Sequence, residues 1–283
     1  MKILLLAIAA GVSWGQTPDI EEIMRRVALN QAKSLELRRN YVYHQKQLLR
    51  MIRGTKKVAR EEVREYTITP KFRGNDRQLV HFEGKYEKNG KYFDFTEPGF
   101  KHKDLDLDGE LLKELSDDMM HDKDGKDGIS NDLFPLTYHR QQKYDFKFLK
   151  TENHKGAKAW RIHFQPKEKP TIKNLEDGAI WKGEALIDAE EYQPIQVASQ
   201  MAWKMPMAVR TLLGTNLHGV GFTVNYQKFE DGLWFPVSYG GEFELRAVFL
   251  YHRIMTINMT NSDFRRTNVE SNVAYATDEE KDK

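Results

Sequence analysis

Large apolar and aromatic residues alternate with polar residues over most of this chain, as in antiparallel β-strands that bury one face. The alternation is clearest in two arms, residues 180–187 and 195–203, which flank a polar stretch at 188–194. Pro194 has no amide hydrogen and therefore suits the first residue of the second arm. This region predicts a strand–turn–strand unit with aromatic ends.

Further units of the same kind lie on both sides of this one. The predicted strands cover residues 40–53, 58–70, 79–86, 91–95, 144–150, 159–165, 219–229, 234–245 and 248–260. Asn89-Gly90 and Asp231-Gly232 are dipeptides typical of tight hairpin turns. The pattern as a whole predicts a large antiparallel sheet.

A helical pattern precedes the strands, with apolar residues at positions 20, 23, 24, 27, 28, 32 and 35. Thr17 is a candidate N-cap, and Pro18 fits the first helical position. We expect an amphipathic helix over residues 17–35 that packs on the sheet. The alternative is a helix on a membrane surface, which its polar face of mixed charge does not favour.

An irregular insert, residues 97–135, interrupts the strands. Apolar residues at positions 111, 112, 115 and 119 predict a short helix over residues 109–120. We expect the insert to be mobile or to close over one end of the sheet.

The insert also contains the one spaced pattern of candidate metal ligands. Asp104, Asp106 and Asp108 stand at the first, third and fifth positions of a calcium-type loop, and a glycine follows. Such loops take two oxygens from a glutamate at the twelfth position, which here is Leu115, whereas Glu114 comes one residue earlier. These three aspartates and Glu114 are therefore a candidate calcium site, and the alternative is an acidic turn in which Asp108 caps the helix.

The N-terminus predicts export. Lys2 precedes an apolar run at 3–10, and the small residues Ser13 and Gly15 predict a signal peptide over 1–15 that is cleaved near Gly15. We expect one domain over 16–275, a disordered tail over 276–283, and a location in the periplasm or otherwise outside the cytoplasm. The absence of cysteine suits an exported domain whose core is large enough to fold without disulfides.

Charge and motifs narrow the classes of function. With 44 lysines and arginines against 42 aspartates and glutamates, the chain has no excess of positive charge, and we expect no nucleic-acid partner. The nine histidines show no zinc-binding spacing, and no Gly-x-Ser-x-Gly motif occurs. We therefore expect no catalytic residues and no enzymatic activity.

The strands are unusually rich in tryptophan, phenylalanine, tyrosine and methionine, which can repack around irregular apolar ligands. They form either an ordinary sheet core or the wall of a cavity between a curved sheet and the N-terminal helix. The candidate cavity residues are Met24, Val27, Trp160, Trp181, Met201, Trp203, Phe222 and Phe243.

Two segments carry a family resemblance. They are Trp181-x-Gly183-x-x-x-Ile187-Asp188 with Tyr192-x-Pro194-Ile195, and the closing segment 251–271. The first resembles a strand pair of the outer-membrane lipoprotein-sorting superfamily, which includes the LolA and LolB carriers and the sensor RseB. The second is similar to the last strands of related bacterial envelope proteins.

The resemblance implies a mainly β (α+β) fold, a curved antiparallel half-barrel sheet with helices on its concave face. In this chain we expect the N-terminal helix and the short helical insert to cover that face. It implies an exported, non-enzymatic carrier or sensor that binds a lipid or the acyl group of a lipoprotein in an apolar cavity, without a cofactor. Envelope or outer-membrane proteins are further expected partners. Two alternatives stay open: a metal-assisted envelope hydrolase that uses the region of residues 104–114, with calcium or a transition metal, and a structural module that docks other envelope proteins.

Overall fold

The computed structural model describes residues 18–71, 75–120, 135–169, 181–202, 215–229, 232–247 and 251–267. Three helices and eleven strands occur in these residues. In chain order they are α1 (Ile20–Arg38), β1 (Tyr41–Arg53), β2 (Val58–Pro70), β3 (Asn75–Lys88), β4 (Lys91–Phe95), α2 (Leu107–Met120), α3 (Tyr138–Gln141), β5 (Tyr144–His154), β6 (Ala157–Pro166), β7 (Trp181–Asp188), β8 (Pro194–Met201), β9 (Thr215–Lys228), β10 (Trp234–Ala247) and β11 (Tyr251–Arg266). In this part of the chain, no helix is both long enough and apolar enough to cross a membrane.

All eleven strands form one antiparallel sheet, in the order β4-β3-β2-β1-β11-β10-β9-β8-β7-β6-β5. The first and last strands pair inside the sheet and join an N-terminal wing of four strands, β1 to β4, to a C-terminal wing of seven strands, β5 to β11. The described sheet is curved and open, with β4 and β5 at its two edges. The predicted fold class is confirmed.

One face of the sheet is covered by the helices. Along β1, the side chains of Tyr43, Gln45, Gln47, Leu49 and Met51 are buried and alternate with more exposed ones, as expected for a strand with one covered face. The buried residues of α1 and Leu112 of α2 belong to the same hydrophobic cluster as the covered-face residues of the strands. A single core therefore lies between the sheet and these two helices.

Helix α1 begins later than the sequence predicts and packs by a different set of residues. Its N-cap is Asp19, whose Oδ1 accepts hydrogen bonds from the Glu21 and Glu22 amides at 3.0 and 3.5 Å, whereas the predicted cap, Thr17, lies outside the described residues. The buried stripe starts with Ile23, Met24, Val27 and Ala28, then continues through Gln31, Ser34 and Arg38, while Ala32 is exposed. Polar side chains fit there because the sheet offers them partners.

These partners fix the C-terminal half of α1. Gln31 Nε2 donates to Gln193 Oε1 at 2.7 Å, and Gln193 Nε2 donates to Ser34 Oγ at 3.1 Å. Arg38 Nε donates to the Trp234 carbonyl at 2.7 Å. The C-terminal half of the helix is therefore held to the sheet by these side-chain hydrogen bonds, and its N-terminal half mainly by apolar packing.

Helix α2 begins at Leu107, so the cap predicted at Asp108 is wrong by two residues. Asp106 precedes the helix, and its Oδ1 accepts a hydrogen bond from the Gly109 amide at 3.3 Å. Leu112 is fully buried and anchors α2 in the core, next to β1 and β2. The described part of the insert, residues 97–120, therefore lies over the covered face of the N-terminal wing.

Candidate functional site

The structure brings most of the predicted cavity residues together. Six of them lie buried in the one hydrophobic cluster, Met201 packs against it half-buried, and Trp203 lies outside the described residues. The six are Met24, Val27, Trp160, Trp181, Phe222 and Phe243.

Within the cluster, the four aromatic side chains among these six form two groups. The Phe222 ring lies 4.9 Å from that of Trp181, 5.0 Å from Phe243 and 5.4 Å from Tyr239, measured between ring centroids. Trp160 instead packs edge-on against Tyr192 at 5.1 Å. Rings at these separations are in van der Waals contact, so this part of the predicted wall is close-packed.

An open volume lies beside this wall, between the N-terminal half of α1, helix α3 and the edge strand β5. This cleft measures about 520 Å³ and lies within the size range of small-ligand sites. Its apolar lining comes from Ile20, Met24, Tyr138, Tyr144 and Phe146, and its polar lining from Glu21, Arg25, Gln141, Gln142, Asp145 and Lys167.

The cleft exists because β5 has a neighbour on one side only. Tyr144 and Met24, each 4% exposed, are its most buried lining residues, whereas Phe146 on the same strand is only half-buried. Gln141 Nε2 joins α1 to the α3 segment by donating to the Met24 and Leu136 carbonyls, at 2.9 and 3.0 Å. Tyr138, 69% exposed, stands at the mouth.

The charged residues that line the cleft are equal in number. They are the basic residues Arg25 and Lys167 and the acidic residues Glu21 and Asp145, and the Arg25 guanidinium donates to the Glu22 carboxylate at 2.7 Å. Hydrogen bonds from Arg25, and then from Arg26, lower the pKa of Glu22 to about 2. The cleft therefore combines an apolar floor with a charged mouth, which suits an amphiphilic ligand.

Two of the candidate calcium ligands, Asp106 and Asp108, bind side chains of the protein itself. Asp106 Oδ2 accepts from Arg60 Nη1 at 2.8 Å and lies 2.9 Å from His102 Nδ1, while Asp104 is exposed. The Glu114 side chain lies outside the described part of the structure. Where side chains are described, no three His, Asp or Glu residues are grouped so that they could hold a metal ion. The calcium site stays a prediction.

Asp108 faces another strand. Its Oδ1 accepts from Arg253 Nε at 2.8 Å and from the Tyr251 hydroxyl at 2.7 Å. Burial, followed by the negative charge of Asp108, raises the pKa of Tyr251. Asp106 and Asp108 thus fasten the start of α2 to β2 and β11 respectively.

Sequence reasoning missed two groups of residues. Arg60, Glu62 and Arg64 are buried on the covered face, where the Glu62 carboxylate bonds both arginines. Charged residues at every second position of a strand ordinarily predict an exposed face. The spacing of these three residues therefore indicated that they share one face of β2, but not that this face is buried. Tyr144 and Phe146 stood out only as aromatic residues of a strand, because nothing in the sequence shows which strand is an edge.

The open face of the C-terminal wing contains a second volume, of about 540 Å³. Its side chains are mainly polar, and its Arg161 is already bound to Glu152 at 2.5 Å and to Glu184 at 3.1 Å. Four residues of the cleft beside α1 belong to the hydrophobic core or pack against it, namely Ile20, Met24, Tyr144 and Phe146. Among the residues of the second volume, Phe222 alone does so. The cleft is the better candidate for an apolar ligand for this reason.

Comparison with known proteins gives matches among solved structures only. No family model matches the chain, and no curated protein matches it. An outer membrane lipoprotein-sorting protein domain from Vibrio parahaemolyticus is 13% identical, covers 90% of this chain and 96% of its own, and gives a TM-score of 0.41. A LolA superfamily protein from Nitrosomonas europaea is 8% identical, with coverages of 89% and 96% and a TM-score of 0.34. MucB is 11% identical, with coverages of 87% and 94% and a TM-score of 0.26.

The predicted likeness to lipoprotein-sorting proteins is therefore confirmed in the structures that the chain resembles. At these identities and TM-scores the likeness carries no information about the ligand, and function has to be argued from the residues of this chain.

Proposed function

We propose that this chain is an exported, non-enzymatic carrier or sensor that binds the acyl group of a lipid or lipoprotein in the cleft between α1, α3 and β5. The observation that carries the proposal is the cleft itself, an apolar floor of Ile20, Met24, Tyr144 and Phe146 below a charged mouth. Export rests on the predicted signal peptide at residues 1–15.

The cleft can supply the required free energy without a catalytic group. Each buried methylene contributes about 0.8 kcal/mol, so roughly ten methylenes contribute about 8 kcal/mol before the cost of ordering the ligand is subtracted. Since this gross value already corresponds to a dissociation constant of about 1 μM, and the ordering cost lowers it, we expect a free fatty acid to bind with a dissociation constant between about 1 μM and 1 mM. Arg25 and Lys167 at the mouth would face the ligand's polar end.

The hydrogen bonds of α1 indicate how the cleft could admit a chain. Gln31, Ser34 and Arg38 hold the C-terminal half of the helix to the sheet. The N-terminal half, with Ile20 and Met24, is packed by apolar contacts and by one bond from Gln141. Small displacements of this half would widen the cleft while the other half stays in place.

A displacement titration with a dansyl-labelled medium-chain fatty acid tests the proposal. Phe146→Lys places a charge on the cleft floor. It should weaken binding of the fatty acid by roughly 10- to 100-fold, which is the effect expected when a few methylene groups are no longer buried. Phe148→Lys is the matched control, since Phe148 is equally half-buried on β5 but does not line the cleft. Equal affinities of the two variants and the wild type would reject the cleft as the site.

A second candidate function is docking of another protein at a sheet edge. It is favoured by β5, whose outer edge has no neighbouring strand in the described sheet and whose Phe146 and Phe148 are only half-buried. An added strand would satisfy the free backbone groups of this edge. Protection of the β5 amides from hydrogen exchange when envelope extract is added, without a bound acyl group, would support docking over acyl binding.

A further inference from the structure

Two hairpin tips lie side by side at one end of the sheet. They are the β1–β2 tip, residues 53–57, and the β3–β4 tip, residues 87–91. Glu87 joins them, because its carboxylate accepts from Arg53 Nη1, from Lys57 Nζ at 3.1 Å and from the Gly90 amide. The two tips therefore form one continuous surface.

This surface is strongly basic in a chain of net charge +2. The ten residues of the two tips include five basic residues and one carboxylate, that of Glu87. Arg53 and Lys57 share this carboxylate, which leaves Lys56, Lys88 and Lys91 exposed and without a carboxylate partner in the described residues. The positive charge at this end is thus concentrated and uncompensated.

Exposed aromatic side chains lie next to these lysines. Tyr92 and Phe93 directly follow Lys91 and are 49% and 44% exposed. The Tyr92 hydroxyl donates to the Val58 carbonyl at 3.2 Å, and the Phe93 ring stacks on Tyr86 at 5.6 Å. The aromatic rings are therefore held in place by their neighbours although they face water.

The same end of the sheet contains the mouth of the cleft. In the antiparallel order, one set of strand ends is aligned from β3 to β9. These ends are Lys88, Arg53, Tyr251, Ala247 and Thr215. A second set is aligned from β8 to β5, and its ends are Met201, Trp181, Pro166 and Tyr144. The register of β8 with β9 places Met201 level with about residue 220, five residues from the strand end at Thr215. Tyr144 and Phe146, which line the cleft, are thus toward the same end of the strands as the two tips but at the opposite edge of the eleven-stranded sheet.

We propose that Lys56, Lys88, Lys91, Tyr92 and Phe93, here called the basic tip, dock this protein on an anionic lipid bilayer. Lysines near an anionic membrane are attracted to its headgroups, and aromatic side chains partition into the interface. A soluble polyanion would engage the lysines alone and leave the exposed rings unused, which favours the bilayer. Two such signals together are what stable attachment to a membrane surface needs.

Docking does not depend on acyl binding, although its benefit to acyl transfer rests on the proposed function. A protein held by the basic tip would bring the end of the sheet that contains the cleft toward the bilayer. The cleft mouth would then be near the source or the destination of an acyl chain.

Flotation with lipid vesicles tests the docking. We expect the protein to float with vesicles of phosphatidylcholine and phosphatidylglycerol, but not with phosphatidylcholine alone. The triple variant Lys56→Gln, Lys88→Gln, Lys91→Gln should bind roughly a hundredfold more weakly. The matched control, Lys147→Gln, Lys155→Gln, Lys158→Gln, removes three exposed lysines of the C-terminal wing and should bind like the wild type.

Equal losses in the two triple variants would overturn the proposal, as would absence of flotation with the anionic vesicles. A further result would also overturn the proposal: dextran sulfate releases the protein from the anionic vesicles, and Phe93→Ser binds these vesicles as tightly as the wild type. That result would show a site for polyanions in which the aromatic ring has no part. Both triple variants should melt at the wild-type temperature, since only exposed lysines change.

Spin labels give a readout that does not depend on affinity. Because the chain has no cysteine, Thr55→Cys and Thr151→Cys each provide a single labelling site, one in the β1–β2 tip and one on β5. On anionic vesicles, the label at position 55 should lose contact with a water-soluble relaxation agent, and the label at 151 should not. A label at 55 that stays fully accessible to water would contradict docking through the tip.

Discussion

At the scale of single residues, the covered face holds charges that a hydrophobic core ordinarily excludes. Arg60 and Glu62 are 1% exposed and Asp106 is fully buried, and each has a bonded partner of opposite charge. Such groups are tolerated only when paired, because an unpaired buried charge costs several kcal/mol. Asp106 therefore has a structural task that its place in a calcium-like pattern did not suggest.

Asp106→Ala should destabilise the protein by about 3–5 kcal/mol, because Arg60 would be left buried without that partner. For a chain of this size, that lowers the melting temperature by roughly 10 °C. Calorimetry checks this, with Asp104→Ala as the matched control, two residues away and exposed. If calcium instead raised the melting temperature of the wild type and each substitution removed that rise equally, the calcium site would be the better account.

Glu87 gives a pH dependence with a defined sign. The hydrogen bond from the Gly90 amide, followed by that from Lys57, lowers its pKa from 4.5 to about 2 in the folded protein. The unfolded state therefore takes up the proton first as the pH falls, so this stabilisation is complete above about pH 4.5 and is lost as the pH falls toward 2.

Glu87→Gln should accordingly be less stable than the wild type at neutral pH, and the difference should shrink between pH 4.5 and 2. Urea unfolding across this range measures it. Glu83→Gln, at a carboxylate that is 67% exposed, should follow the wild-type profile. A difference for Glu87→Gln that grows on acidification would contradict the assigned sign.

At the scale of the elements, the strand pair β7–β8 depends on one glycine. A Cβ added to Gly183 would lie 1.9 Å from the Ala198 carbonyl oxygen and 2.8 Å from the Ser199 Cα. Both obstacles are backbone atoms and cannot rotate away. Gly183 therefore permits a close approach of the two strands, which gives a physical reason for its place in the motif that resembles the lipoprotein-sorting proteins.

Gly183→Ala should cost about 3 kcal/mol, the upper part of the range for overpacked sites. Gly221→Ala is the matched control on the neighbouring strand β9, because its Cβ would meet the Ser199 carbonyl oxygen at an ordinary 3.4 Å. Urea midpoints of the two variants give the comparison. Equal midpoints would mean that the strands can separate without cost.

The strands and the helix α1 could be predicted because alternation and helical spacing are local signals. The sequence signal for a turn was weakest where the turn lacks a dipeptide typical of hairpins. The hairpin between β5 and β6, which turns at Lys155 and Gly156 with φ of 52° and 92°, was not predicted for this reason. The burial of Gln31 and Ser34 was not predictable either, because their partner Gln193 is about 160 residues away in sequence.

At the scale of the whole molecule, the pairing of β1 with β11 defines the architecture. Residues at the two ends of the sequence, such as Tyr41 and Arg266, are neighbours in the sheet. No local pattern indicates such a contact, so the sequence predicted a curved sheet without its strand order. The edges, and with them the cleft beside β5, follow from that order and could be located only in the structure.

This architecture also places the two proposed surfaces. The cleft and the basic tip lie at the same end of the sheet but near opposite edges, so that each can be altered without the other. The two proposed properties, acyl binding and docking on a bilayer, are therefore separate, and docking would bring the cleft nearer to a membrane.

Photo-crosslinking, followed by peptide mapping, shows directly where an acyl chain binds. The probe is a fatty acid that carries a diazirine in its chain and an alkyne handle. We predict crosslinks to Ile20 or Met24 on α1 and to Tyr144 or Phe146 on β5, and their loss when unlabelled myristate is added in excess. Crosslinks confined to the basic tip, or crosslinks that excess myristate does not reduce, would contradict an acyl-binding cleft.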